Sequence, residues 1–171
     1  MITTGRPFFK MSGSGNDFVF FDARSEPPGD LEKPEVIQAV CARGSGVGAD
    51  GIVFLRRDDE AALRIRYLNS DGSLAALCGN ATLCATRLAA ELGIVARDAE
   101  FSIATDSGPV AARFRDGLPE IDLQPVTELL ERFGAEPVEG EIRIGFSMVG
   151  VPHLVVSCED VSRAPVVDRG R

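Results

Sequence analysis

Between Ala81 and Leu92 the chain carries just two charged residues, Arg87 and Glu91, placed four apart and therefore on one stripe of a helix. Every other position there is Ala, Thr, Leu or Cys. A helix this apolar on nearly all faces is covered on most sides rather than laid on a surface. Gly93 follows as the expected left-handed stop. Whatever the rest of the chain forms must therefore surround this one helix.

Strand patterns supply the material to do so. Residues 8–11 and 18–23 are short β-rich runs separated by Gly13-Ser14-Gly15-Asn16-Asp17. Pro34 opens a helix through Val36, Ile37, Val40 and Cys41, whose spacing lines one face. Gly44 to Gly51 is a loop with four glycines. Residues 52–55 and 63–68 read as paired strands around a charged turn at 57–60. After the apolar helix come strands at 101–104, 110–114 and 121–123, with Asp116-Gly117 as a strong hairpin signal. Residues 125–134 are expected to hold one or two helical turns. Strands at 141–149 and 153–157 close the chain, and the acidic, proline-containing stretch 134–141 reads as a linker.

Cys78 stands at the entry to the apolar helix, shortly after the turn-rich Asn69-Ser70-Asp71-Gly72-Ser73. Backbone N–H groups at a helix start lack intrahelical partners, and the helix dipole adds partial positive charge there. A thiol in such a position ionises more readily than a free one, whose pKa is about 8.5. The N–H groups of Gly79 and Asn80 suit a carboxylate. The same position equally suits a buried structural cysteine, and position alone does not choose between them.

Composition removes several function classes. A formal charge of −8 leaves no basic stripe to neutralise phosphates, so no nucleic-acid partner is expected. No run of about 18 apolar residues and no charged-then-apolar leader occurs, so no membrane partner is expected and the chain reads as cytoplasmic. The four cysteines (Cys41, Cys78, Cys84, Cys158) include no Cys-x-x-Cys, and His153 is the single histidine. Reduced thiols are expected, with neither disulfides nor a zinc site. Gly44-x-Gly46-x-Gly48 lacks the dinucleotide spacing and no P-loop lysine is present, so it reads as a turn stack rather than a phosphate cradle.

Several ordered motifs together resemble the diaminopimelate epimerase family. They are Phe9-Lys10-Met11-x-Gly13-x-Gly15-Asn16-Asp17-Phe18, Gly46-Val47-Gly48-Ala49-Asp50-Gly51, Asn69-x-Asp71-Gly72-Ser73, Cys78-Gly79-Asn80 and Gly150-x-Pro152-His153. The resemblance implies an α+β fold in which a curved, mainly antiparallel sheet wraps a central buried helix, as one half of a two-lobed epimerase. Residues 1–135 would be the first lobe and 136–171 the opening strands of a second. It also implies a small-molecule amino-acid substrate and no cofactor: one thiolate removes the α-proton while a second thiol returns a proton to the opposite face, interconverting LL- and meso-diaminopimelate for lysine and peptidoglycan precursor synthesis. By this resemblance Cys78 and His153 are catalytic, and Asn16, Asn69, Gly79 and Asn80 bind substrate. Fixed N–H donors at a helix start fit that chemistry, since they stabilise developing charge without reorganising.

Departures from the family pattern fall at Ala81, where glycine is commonest, at Leu74, where glutamate is usual, and at Val151, where many members have asparagine. Gly51 stands where some members place a substrate-binding glutamine. No second cysteine has a matching context, and Cys84 lies too far along the same helix to face Cys78. The chain is therefore expected to lack the second catalytic half and to be inactive by itself. A cofactor-free isomerase of another small acid, and a non-catalytic binding domain of the same fold, remain alternatives at this stage. Oligomeric state is not legible here, although apolar strands near the end leave a homodimer open.

Overall fold

The structure is a computed structural model, and its described residues are 5–169. They divide into two compact units, which part between Leu123 and Gln124.

In the first unit, β1 (Phe9–Gly13) and β2 (Asn16–Asp22) form a hairpin. Its two-residue turn places Ser14 and Gly15 at φ 51° and 92°, the left-handed pairing that matches strand twist. The supposed five-residue loop is thus mostly strand, because Gly13 and Asn16 pair directly. The chain then crosses through α1 (Pro34–Cys41) to β3 (Gly51–Arg56), which runs parallel to β2. β4 (Leu63–Asn69) returns antiparallel to β3, and the two-residue β5 (Leu74–Ala75) folds back on β4. The apolar helix α2 (Gly79–Glu91) leads to β6 (Phe101–Thr105), parallel to β4. The antiparallel strands β7 (Gly108–Arg115) and β8 (Leu118–Asp122) complete the sheet, joined through Asp116 and Gly117 at φ 52° and 76°.

The strand order is β1-β2-β3-β4-β6-β7-β8, with β5 beside β4. Two pairings are parallel and the others antiparallel, so the sheet is mixed. Helix α2 packs against β1, β4 and β8. One helix can touch both edge strands and the middle of a sheet only if the sheet curls around it, as the apolar helix required.

Both faces of the central strands are buried. Phe18, Phe20, Val53, Leu55, Leu63, Ile65 and Tyr67 turn inward onto Ala81, Cys84, Ala85, Leu88 and Ala89 of α2. Val19, Phe21, Ile52, Phe54 and Leu68 turn outward onto Ile37 and Cys41 of α1. That explains why β2 and β3 read as unbroken apolar runs rather than alternating ones. Thr82 and Thr86, fully buried in α2, donate their hydroxyls to the carbonyls of Cys78 and Thr82, each at 2.9 Å. Gly93 (φ 66°) and Ile94 close the helix through Gly93 N to Ala90 O and Ile94 N to Ala89 O, a Schellman end.

The second unit is a three-stranded antiparallel sheet ordered β11-β10-β9, formed by β9 (Glu128–Leu130), β10 (Glu141–Val149) and β11 (Val151–Cys158). A single helical turn, Val166–Arg169, follows. The helical turns expected at 125–134 are not formed. That segment is extended, with Thr127 and Phe133 donating to Met148 and Ile144 and Phe133 stacked on Phe146 at 5.5 Å. Pairing with β10 satisfies its backbone, and local propensity yields to it. The register shifts between Glu141 and Arg143, so Ile142 is the extra residue of a bulge. It is exposed while Ile144 is buried.

Candidate active site

Cys78 is the N-cap of α2, in extended backbone (φ −137°, ψ 107°), and its side chain caps nothing. No acidic residue stands in the first turn, so the positive end of this helix is not neutralised by its own sequence. Cys78 is half-buried against the inner core. The neighbouring thiols differ from it in burial: Cys84 lies in the core, where burial pushes its pKa up to about 11, and burial likewise raises Cys41.

Inner-face geometry brings the asparagines to the same end of the sheet. Side chains alternate along a strand, so Asn16 continues the inward row of Phe18 and Phe20, and Asn69 that of Ile65 and Tyr67. Phe18, Gly51 and Asn69 share one row across β2, β3 and β4. Asn80, two residues into the helical end, donates Nδ2 to Asn16 Oδ1 at 2.7 Å, across 64 residues of sequence. Asn69 is held differently: its Nδ2 meets Ser73 Oγ at 3.0 Å, and its backbone N–H meets Ser73 O at 2.8 Å.

Behind Asn16 lies a charged cluster that sequence reasoning did not single out. Asn16 Nδ2 donates to Asp50 Oδ2 at 2.9 Å, and the Asp17 N–H reaches the same oxygen at 3.1 Å. Arg43 bridges Asp50 Oδ1 at 2.8 Å and Asp17 Oδ1 at 2.6 Å, and Lys10 joins Asp17 at 2.6 Å. The Asn16 amide, then the Asp17 N–H and Arg43, hold the Asp50 carboxyl below its usual range against burial. Arg43, then Lys10, hold Asp17 well below its own. The Asp50 backbone also fixes the Asn69 turn, since Ser70 N donates to Asp50 O at 3.0 Å. The only advance signal for Asp50 was its place in the glycine-rich Gly46–Gly51 run.

Two glycines of the site differ in what they allow. A Cβ on Gly79 would rest 3.6 Å from Leu123, an ordinary contact, so packing does not demand glycine there. A Cβ on Gly51 would lie 2.4 Å from the Tyr67 ring and 2.5 Å from Leu68 O. The glutamine some family members carry at that place has no room in this fold while Tyr67 fills the space.

His153 lies on β11 in the second unit, exposed, with Nδ1 2.8 Å from Val151 O. A carbonyl only accepts, so Nδ1 carries the proton and Nε2 of the neutral ring is the acceptor. Among the described residues no cluster of His, Cys, Asp and Glu is arranged to hold a metal ion. No helix there is long and apolar enough to cross a membrane.

The Diaminopimelate epimerase family model matches residues 8–123. A diaminopimelate epimerase of Gemmatimonas aurantiaca is 46% identical over 165 residues, covering 95% of this chain and 59% of its own length. One of Aquifex aeolicus is 37% identical over 173 residues, covering 96% and 61%. The chain thus spans about three-fifths of the length of these relatives. Among solved structures, a Bacillus anthracis phenazine biosynthesis protein of the PhzF family superposes with a TM-score of 0.68 at 17% identity, covering 91% of this chain and 56% of that one. A hydroxyproline epimerase from Agrobacterium vitis gives 0.63 at 21%, covering 87% and 50%. Those two likenesses speak for the fold alone. The family match, by contrast, takes in every strand of the curled sheet together with Asn16, Asp50, Cys78 and Asn80, and on that ground the chain belongs to the diaminopimelate epimerase family.

Proposed function

We propose that this chain provides one lobe of a cofactor-independent epimerase that interconverts LL- and meso-2,6-diaminopimelate, with Cys78 as one of two thiol acid–bases. The observation that carries the reading is Cys78 at the uncapped positive end of a buried helix, its thiol free of any capping role and the Asn80–Asn16 pair beginning two residues along the same turn. In this reading the N–H groups of Gly79 and Asn80 receive the substrate carboxylate, as its charge grows when the α-carbon is deprotonated. The side chains of Asn16, Asn69 and Asn80 hold the polar groups without adding net charge. The Cys78 thiolate takes the α-proton from one face, and an acid on the other face returns a proton, inverting the centre.

The opposing acid is sought in sequence matching the remainder of the relatives' length, because Cys41 and Cys84 are buried in the first unit. The first unit is then the lobe with the catalytic cysteine, and the second unit opens a further lobe. His153, with Nε2 as its acceptor nitrogen, is assigned to assist the thiol chemistry. The same proposal places the enzyme in the cytoplasm, in lysine and peptidoglycan precursor synthesis. The exposed Leu154, Val161 and Val166, which line one surface of the second unit, give a homodimer a place to form.

The test is exchange of the α-proton of LL- or meso-diaminopimelate with solvent deuterium by the full-length protein, with neither pyridoxal phosphate nor metal added. Cys78→Ala abolishes interconversion if the assignment is right, and Cys78→Ser is nearly as damaging because a hydroxyl is far less acidic. Wild-type exchange by the alanine variant refutes the role of Cys78. Activity on proline but not on diaminopimelate would move the substrate to another small acid.

A further inference from the structure

We infer that Asp50 is a positioning residue: acting through Asn16, it fixes which end of the Asn80 amide is presented to the substrate. The inference rests on the reading of Asn80 as a substrate-binding residue.

An ionised carboxylate can only accept hydrogen bonds, whereas a carboxamide donates at one end and accepts at the other. Asp50 is immobilised by three donors: Asn16 Nδ2 (2.9 Å) and Asp17 N (3.1 Å) on Oδ2, and Arg43 Nη2 (2.8 Å) on Oδ1. Asn16 must therefore turn its nitrogen to Asp50 and its oxygen toward α2. Facing that oxygen, Asn80 must donate Nδ2, as it does at 2.7 Å. The chain of two amides thus transmits a sign, and it leaves the Asn80 oxygen, an acceptor, as the end turned away from Asn16.

That polarity has a chemical meaning. An amino acid offers an ammonium group, which only donates, and a carboxylate, which only accepts. The N–H groups at the start of α2 suit the carboxylate, and an acceptor beside them suits the ammonium. Reversing both amides would present N–H donors to the ammonium, and in the native chain it would also set the Asn16 oxygen against the Asp50 carboxylate. A single fixed carboxylate therefore selects one of two otherwise similar arrangements. Asp50→Asn removes the selection without changing size, because the new amide can face Asn16 with either end.

The side-chain amide signals of Asn16 and Asn80, read by NMR on the 171-residue chain, test the relay directly. In the native chain both amides are expected to show slow hydrogen exchange and one fixed environment. Asp50→Asn is expected to speed exchange at both by about tenfold or more and to split or broaden the Asn80 signal. Adding Asn16→Asp to that variant restores an acceptor facing Asn80, and its slow exchange returns. This double variant also decides the matter if Asp50→Asn alone fails to fold. In the full-length protein, Asp50→Asn lowers kcat/KM for diaminopimelate by about tenfold or more, the worth of a hydrogen bond to a charged group. The loss falls more on KM than on kcat, since the ammonium is held in ground and transition states alike. Unchanged Asn16 and Asn80 signals in Asp50→Asn overturn the inference, as does a changed signal with native kcat/KM. A native protein inactive on diaminopimelate would instead sink the proposed function while leaving the amide readout standing.

Discussion

At Gly13 the sheet comes close against α2 beneath the site, and replacing this residue by alanine tests that approach. Its φ lies outside the left-handed region, so the backbone itself accepts alanine. The obstacle is steric: the added Cβ would lie 2.8 Å from Cys84 Sγ and 3.3 Å from Asn80 O. Gly→Ala alone stabilises by about 0.4–1 kcal/mol, because it restricts the unfolded chain. Forcing a methyl group into a packed core costs about 1–3 kcal/mol. The steric cost wins, and Gly13→Ala is expected to destabilise by about 1–2 kcal/mol. Cys84→Ala, which removes the nearer obstacle, should cost about 1 kcal/mol alone through lost burial. Together the two changes should cost less than their sum by about 1 kcal/mol, a coupling of the size seen between touching residues. Urea unfolding of the four proteins measures this as midpoint shifts at constant slope. If the two costs add to within about 0.3 kcal/mol, the close approach of Gly13 to Cys84 is not what requires glycine, and the reasoning fails.

Two further outcomes follow from burial. Under limiting iodoacetamide near neutral pH, Cys78 should be alkylated before Cys41, Cys84 and Cys158, since burial raises the Cys41 and Cys84 thiols and only Cys78 opens a helix; peptide mapping that finds Cys84 modified as fast as Cys78 would contradict it. Tyr67 is the sole tyrosine and no tryptophan is present, so the tyrosinate absorbance reports one group. Burial pushes that phenol up to about 12, against about 10 in an unfolded chain. Its contribution to stability is therefore full below about pH 10 and is lost as pH rises toward 12. Tyr67→Phe should flatten that alkaline slope, and a native titration midpoint near 10 would show the ring to be solvated.

What could be read in advance was local. The span of α2 followed from twelve residues with two charges, its end from Gly93, and the β7–β8 turn from Asp116-Gly117. Pro34 marked the start of α1. What could not be read was settled by distant partners. Residues 125–134 had no strong pattern of their own, and β10 decided that they extend. The bulge that turns Ile142 outward depends on register with β11 and leaves no trace in alternation. The break between the two compact units after Leu123 follows from β9 pairing with β10. Cys78 stood out because a helix start is visible in sequence, whereas Asp50 did not, because its meaning depends on Asn16 and Asn80, 34 and 30 residues away. A motif can list such residues, but only their spacing in three dimensions shows which one instructs the next.

The two parallel pairings, β2 with β3 and β4 with β6, have a consequence for how the site comes into being. The hairpins β1–β2, β3–β4 and β6–β7–β8 join strands that are near neighbours in the chain and can form early, at little loop-closure cost. Each parallel pairing instead has to wait for a helix to cross over, and α2 is the second of those crossings. The hydrogen bond from Asn80 to Asn16 joins the products of both. Cys78 is therefore expected to reach its place beside Asn16 late in folding, since the Asn80–Asn16 contact spans 64 residues of sequence. On that expectation, a partly folded chain holds the Cys78 thiol apart from Asn16 until this long-range contact forms.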